Sequence, residues 1–361
     1  MPPNVKQMAH VGESPWWVGT EHDNGQATFM GDKDTKAAEM LAASGANFRV
    51  QLARLRGEIK VEGKKKTCTV QDRYAIVRED NLAVLGMVTD RYQPVQGPEA
   101  FAFFDDVIGK QAWYHTAGVL GQGEKIWILA RLPEEVKIAG SDLVENYLLL
   151  TTGHDGSTAF WVMFSPIRVV CQNTMNIALS IGEAGSKGYR LSHYQGIKGK
   201  MNVSDARQVL GMSKEFMSTF TEQAERLAQM PIKEDELTAL LQRIFPIPQK
   251  LLLSEPIGVK PLALLPEPKP EDIAEDLRWQ FVEADNKRQF VRTLVAEGKG
   301  NDHPDVAGTR WAAFNGVVEW ADYLAGQART RTDSLLFGSG QAMKQKAWNG
   351  LTADLPRPKG K

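Results

Sequence analysis

A chain of 361 residues with 42% hydrophobic and 24% charged residues has the make-up of an ordinary globular protein and excludes a disordered or collagen-like one. A formal net charge of −1 excludes a globally basic surface, so any anion-binding role must come from local clustering. Two cysteines without a CxxC pair exclude a disulfide scaffold or zinc ribbon, and no run has the length of a signal peptide or membrane span, so a cytoplasmic protein without a membrane partner is expected.

To about Gln71 the pattern is weak. Thr35 to Ser44 reads as a short helix stopped by Gly45, and the Gly- and Lys-rich run Gly57 to Lys66 reads as a hairpin or mobile loop. RYAIVR from Arg73 and LAVLGMVT from Leu82 are strands parted by the polar turn Glu79-Asp80-Asn81. A helix is expected from Pro98, where Ala100, Phe101, Phe104, Val107 and Ile108 recur at helical spacing. AWYHTAGVL and KIWILAR form a hairpin around Gly121-Gln122-Gly123. Tyr147 to Phe164 reads as a second hairpin turning at Asp155-Gly156, followed by a helix opened by Ser165-Pro166 and by a short strand, GYRLSHY.

Helices dominate from Val203. One runs to about Met230 with Ser204 as its cap, another covers Lys233 to Ile244, and seven prolines between Pro246 and Pro270 then impose an extended connector. Glu271 to Val295 is an amphipathic helix with Ile273, Leu277, Phe281, Ala284, Val291 and Val295 as its stripe, and acidic first turns that suit the helix dipole. Two more helices lie near Arg310 to Leu324 and Gln341 to Leu351. The fold class expected is α+β: an antiparallel sheet with helices on one face, followed by a mainly helical C-terminal region. The divisions read as an α+β core over 1–203, a helical extension over 204–245, a Pro-rich connector over 246–270, and C-terminal helices over 271–361 packing on the core.

RYAIVRED, VTDRYQPVQGPEAFAFFDDVIG, YHTAGVLGQGEKIWILARLP, the Tyr147 to Leu179 stretch and GTRWAAFNGVVEWADY together resemble the blocks of the phage/plasmid-like protein family, a group defined by a domain of unknown function. VGESPWWVGT is similar to its N-terminal signature, with Trp17 where a His more often stands. The resemblance implies a phage, prophage or plasmid origin and supplies no activity. The order of hairpins, helix and terminal basic helix also resembles single-strand annealing proteins, at the level of element order alone.

On the expected helix, Arg168, Gln172 and Asn176 are spaced i, i+4, i+8 and share a face able to meet phosphate oxygens and base edges. The bland alternative is a solvated face with its Arg paired to a carboxylate. Lys187, Tyr189, Arg190, Tyr194, Lys198 and Lys200 follow, the mixture of cations and rings that a single-stranded nucleic-acid groove uses. Lys64, Lys65 and Lys66 read as a solvated run or an anion contact, and Arg329, Arg331, Lys344 and Lys346 as a second basic patch. His154 with Cys171 is conceivable as a nucleophilic pair, but His-Asp-Gly is turn chemistry and Cys171 falls on the apolar helical face. The scattered histidines show no metal spacing, and no cofactor motif is present. Trp311, Asn315 and Glu319 share a helical face, read as an anchor on the main domain.

The leading expectation is a phage or plasmid DNA-metabolism protein that binds single-stranded DNA as a homo-oligomer and promotes annealing or recombination, without enzymatic activity of its own. The alternatives are a protein-interaction module, such as a host regulator or anti-defence factor, and an enzyme acting on a nucleotide-like substrate.

Overall fold

The computed structural model describes residues 5–11, 27–31, 35–168, 173–174, 188–194, 197–247, 262–325 and 338–356. Twelve strands occur among them: β1 (Val5–His10), β2 (Ala27–Phe29), β3 (Val50–Val61), β4 (Lys64–Arg78), β5 (Val84–Val88), β6 (Trp113–Leu120), β7 (Lys125–Ile138), β8 (Asp142–Gly153), β9 (Phe160–Phe164), β10 (Ile167–Arg168), β11 (Asn173–Thr174) and β12 (Tyr189–Leu191). The main sheet runs β11-β10-β8-β7-β6-β1-β2, with β9 and then β12 continuing beside the C-terminal half of β8. Its neighbours are antiparallel except β1 and β2. A second sheet, β3-β4-β5, is antiparallel throughout.

The expected hairpins form for the reasons read from their turns. Gly121 and Gly123 take φ of 59° and 118° between β6 and β7, a left-handed region that costs glycine nothing. Between β8 and β9 the Asp155 carboxylate accepts the backbone N–H groups of Ser157 and Thr158, each at 2.9 Å, and Gly156 takes φ 82°. Gly57 to Lys66 is the distal part of the β3–β4 hairpin, turning at Glu62-Gly63.

The helix expected from Ser165-Pro166 is corrected. Ile167 and Arg168 pair with Glu145 and Val144 of β8, and Asn173 and Thr174 pair back onto them. β8 is twelve residues long, and β9 accompanies only Leu148 to Thr151, so its first half would otherwise present unpaired N–H and C=O groups. Pro166 opens a strand here, and Ile167 buries into the sheet.

Nine α-helices occur among the described residues: α1 (Ala37–Ala43), α2 (Gly97–Ile108), α3 (Ile197–Lys200), α4 (Val203–Gly211), α5 (Ser213–Gln229), α6 (Glu234–Ile244), α7 (Glu275–Glu297), α8 (Arg310–Glu319) and α9 (Ser339–Leu351). A π turn, Trp320–Leu324, follows α8. The single long helix expected to Met230 is two, broken at Met212, and its cap is Asn202, whose side chain accepts from Ser204 N–H at 2.8 Å. The connector residues 248–261 lie outside the described residues.

The chain is therefore α+β, with a helical C-terminal region. One apolar core extends from Ala9 to Leu351, and it takes the sheet side of Ile126, Ile128, Leu148, Leu150 and Val162 together with the helices. Trp311 anchors α8 by donating its indole N–H to the Asp142 carboxylate at 2.7 Å, and Phe220 stacks on Trp348 at 5.5 Å. The opposite side of the sheet holds a smaller cluster of Met8, Leu120, Trp127, Leu129, Tyr147, Leu149 and Ile167.

Candidate functional site

That second side carries the candidate site. Strand pairing aligns Met8, Gly118, Trp127, Thr151, Trp161 and Arg190 in one row across six strands. Partners directly opposite share a face, so the row passes from apolar to polar toward the β12 edge. Gly118 permits this. A Cβ there would sit 2.7 Å from the Trp127 ring, so only glycine lets that ring lie against the strand.

At the polar end, Lys125, Thr151, Ser157, Thr158, Trp161 and Arg190 line a cavity of about 300 Å³ that Gln341 of α9 borders. The Arg190 guanidinium lies 5.7 Å from the Trp161 ring centroid, within cation–π range. Thr151 is only 1% exposed, and its hydroxyl has no hydrogen-bond partner among the described residues, an unsatisfied polar atom at a cavity wall. Lys125 reaches the Asp155 carboxylate at 3.4 Å, and that carboxylate also accepts the hydroxyls of Ser157 and Thr158 at 2.6 and 3.1 Å. Burial pushes the Asp155 carboxyl up, but the Ser157 and Thr158 hydrogen bonds and the Lys125 charge outweigh it and hold the pKa below the usual value. Asp155 is thus ionised and partly neutralises Lys125, leaving Arg190 to set the positive potential.

His154 lies behind this turn, fully buried. Its Nδ1 is 3.1 Å from the Gly123 carbonyl oxygen and its Nε2 is 2.9 Å from that of Val95. Burial lowers its pKa against the pull of those two carbonyls. A neutral ring donates through one nitrogen only, so one of the two carbonyls receives its N–H while the other lies against the bare nitrogen; facing both, His154 packs its own turn against the Gly123 and Val95 segments. Cys171 lies outside the described residues. Among the described residues no group of three His, Cys, Asp or Glu could hold a metal, and no helix is long and apolar enough to cross a membrane.

The residues singled out in the sequence fall in several places. Arg168 is on β10 by its backbone, and the helical face it was to share with Gln172 and Asn176 is not formed there. Gln172, Asn176 and Lys187 lie outside the described residues, and of the Lys198 side chain, on α3, nothing is described. Tyr189 packs its ring on Phe103 at 6.0 Å, and its hydroxyl donates to the Lys200 carbonyl at 2.8 Å and accepts the Asn202 N–H at 2.9 Å. Lys200 is exposed at the end of α3. Tyr194 is partly exposed and sets its hydroxyl 3.4 Å from the Gly156 carbonyl, beside the β8–β9 turn. Lys344 is corrected: it is fully buried and ion-paired with Asp322 of the π turn, so it adds nothing to a surface patch. Arg329 and Arg331 lie outside the described residues.

Sequence reasoning missed Trp161, Lys125 and Thr151. The signal was present in FWVMF, where Phe160, Val162 and Phe164 supply the core face and Trp161 and Met163 the other. A family model described as a domain of unknown function (DUF932) matches residues 84–348, nearly three quarters of the chain. No curated protein and no solved structure matches it.

Proposed function

The chain belongs to the DUF932 family, and from its geometry we propose that it binds single-stranded DNA on the β9–β12 face of the main sheet. The observation that carries this reading is Arg190 set over Trp161 beside the unpartnered Thr151 hydroxyl. A base stacks on the ring, the guanidinium meets the adjoining phosphate, and the hydroxyl completes its bonding on a base edge or sugar. Lys125 and Tyr194 flank this contact, and Lys187, Lys198 and Lys200 are proposed as further backbone contacts. Arg168, Gln172 and Asn176 are proposed as further contacts to the strand. Tyr189 serves as scaffold in this reading, since its ring and hydroxyl are occupied. The protein acts as a homo-oligomer in the cytoplasm of a phage- or plasmid-bearing cell, in annealing or recombination.

Fluorescence anisotropy with a labelled single strand tests this reading. Affinity is expected to fall steeply between 50 and 200 mM salt, and Arg190→Ala or Trp161→Ala to lose about 1–3 kcal/mol of binding, the range for a stacked base. An absence of binding at low salt overturns it.

A second reading, a protein-interaction module, is favoured by α7, where Trp279, Val282 and Phe290 are 60%, 45% and 49% exposed. Exposed apolar residues clustered on one helix mark a docking face. Trp279→Ser with Phe290→Ser leaves DNA binding unchanged if the two surfaces are independent, as a parallel anisotropy titration shows.

A further inference from the structure

The β3–β4 hairpin extends well past the sheet that it begins. Beyond a bulge, Arg56 to Val61 pair with Lys64 to Thr69 in six registered pairs, about 20 Å of ribbon at 3.3 Å per residue. The bulge sets Leu55 against the four residues Val70 to Arg73, with Asp72 at φ 54°, which interrupts the ladder and adds twist at the base of the ribbon. Every residue from Glu58 to Arg73 is exposed, on both faces. The turn residues Glu62 and Gly63 take φ of 51° and 75°, the two positive values of a tight hairpin turn.

Charge and face are arranged unequally. Arg56 to Thr69 hold five cations and two carboxylates, a net charge of +3 on a chain whose total is −1. Register puts Arg56 with Thr69, Glu58 with Thr67, and Lys60 with Lys65 on one face, all of them able to hydrogen-bond. The other face holds Ile59 with Lys66 and Val61 with Lys64. Lys60 directly opposite Lys65 is a repulsive pair that costs stability until an anion lies across it. The Lys65–Glu58 contact at 3.3 Å is too exposed to offset much of that.

We propose that this ribbon is a duplex-DNA contact, lying lengthwise in the major groove with the Arg56, Lys60, Lys65, Thr67 and Thr69 face toward the base edges. The major groove, about 12 Å wide, admits a two-stranded β-ribbon, and the polar face brings the donors that base edges and flanking phosphates accept. Lys64 and Lys66 sit on the outer face, within reach of rim phosphates. An anionic lipid surface fits less well, because the tip that would enter it first carries Glu62. Side-by-side pairing with the ribbon of a second copy would double the +3 charge. The proposal rests on the DNA reading above and adds to it a second form of DNA on a second element, so that single strand and paired product occupy different surfaces.

The test uses the full chain with a fluorescein-labelled 20-bp duplex and, separately, one of its strands, at 50 and 200 mM salt. Replacing Lys60, Lys64, Lys65 and Lys66 by Gln, all exposed, is expected to weaken duplex binding at least tenfold and flatten its salt dependence, with single-strand affinity changed less than threefold. Arg190→Ala is expected to do the reverse. A second measurement needs no loss of function: a fluorophore on exposed Cys68, in a Cys171→Ser background, should change emission with duplex and not with single strand. Duplex affinity within twofold of wild type in the Lys→Gln variant overturns the proposal, as does wild-type protein that binds single strand alone, which leaves the cavity reading standing. Binding of duplex alone overturns the cavity reading and leaves the ribbon. Binding to phosphatidylserine vesicles, or ribbon-dependent dimers in mass photometry, with no duplex binding, also overturns it.

Discussion

His193 shows what burial does to a titratable residue that stands between Arg190 and Lys200 in the sequence. Its ring stacks on Tyr92 at 4.9 Å, Nδ1 meets the Gln93 carbonyl at 2.9 Å, and Nε2 faces the Thr152 hydroxyl at 3.3 Å. Burial pushes its pKa from 6.5 down to about 4, with the nearby His154 adding to the shift and the Gln93 carbonyl and Asp155 opposing it. A base whose folded pKa is depressed is protonated first in the unfolded chain. Its stabilising contribution is therefore complete above pH 6.5 and is lost as pH falls from 6.5 toward 4. His193→Gln should remove on the order of 2–3 kcal/mol from the difference in unfolding free energy between pH 7.5 and pH 4.5. Urea melts of both proteins at the two pH values check this; equal differences would show that the ring titrates normally. His193 is thus an uncharged packing group among basic sequence neighbours, which those neighbours alone could not reveal.

At the scale of elements, local chemistry decided most boundaries and tertiary demand decided the rest. Asp155 and the glycines of the hairpins act within four residues, so they were legible. The helix after Ser165-Pro166 was not, because the deciding partner, the unpaired first half of β8, lies some twenty residues earlier. Asn202 illustrates a smaller displacement of the same kind: two capping residues stand two positions apart, and the break at Met212 ends α4 and gives α5 its own start. Asn202→Ala should cost about 1 kcal/mol, and Ser204→Ala less than about 0.5 kcal/mol, by chemical denaturation. A larger loss at Ser204 would place the cap there instead. The candidate site was half legible. Arg190 was named from its charge, but Trp161 and Thr151 join it only through the pairing of β8, β9 and β12.

The whole molecule is held by contacts that cross it. Lys344 of α9 is 0% exposed and paired with Asp322, closing the C-terminal helix onto the π turn. Removing one partner of a buried pair strands the other charge, so Lys344→Met should destabilise by about 3–5 kcal/mol. Lys346→Met, two residues on and exposed, should stay within about 0.5 kcal/mol, as thermal melts of the two would show. By itself the sequence determined the α+β class, the three hairpins, the helical C-terminal region and the family, because periodicity, turn residues and long motif blocks are local properties. Tertiary structure alone decided which end of the sheet's second side is polar, which cations are exposed and which are buried. It also turned a Lys-rich stretch into a free-standing ribbon. The physical reason is that charge and exposure are properties of what packs opposite a residue, and that partner is chosen by strand pairing and core burial over distances the local pattern does not encode.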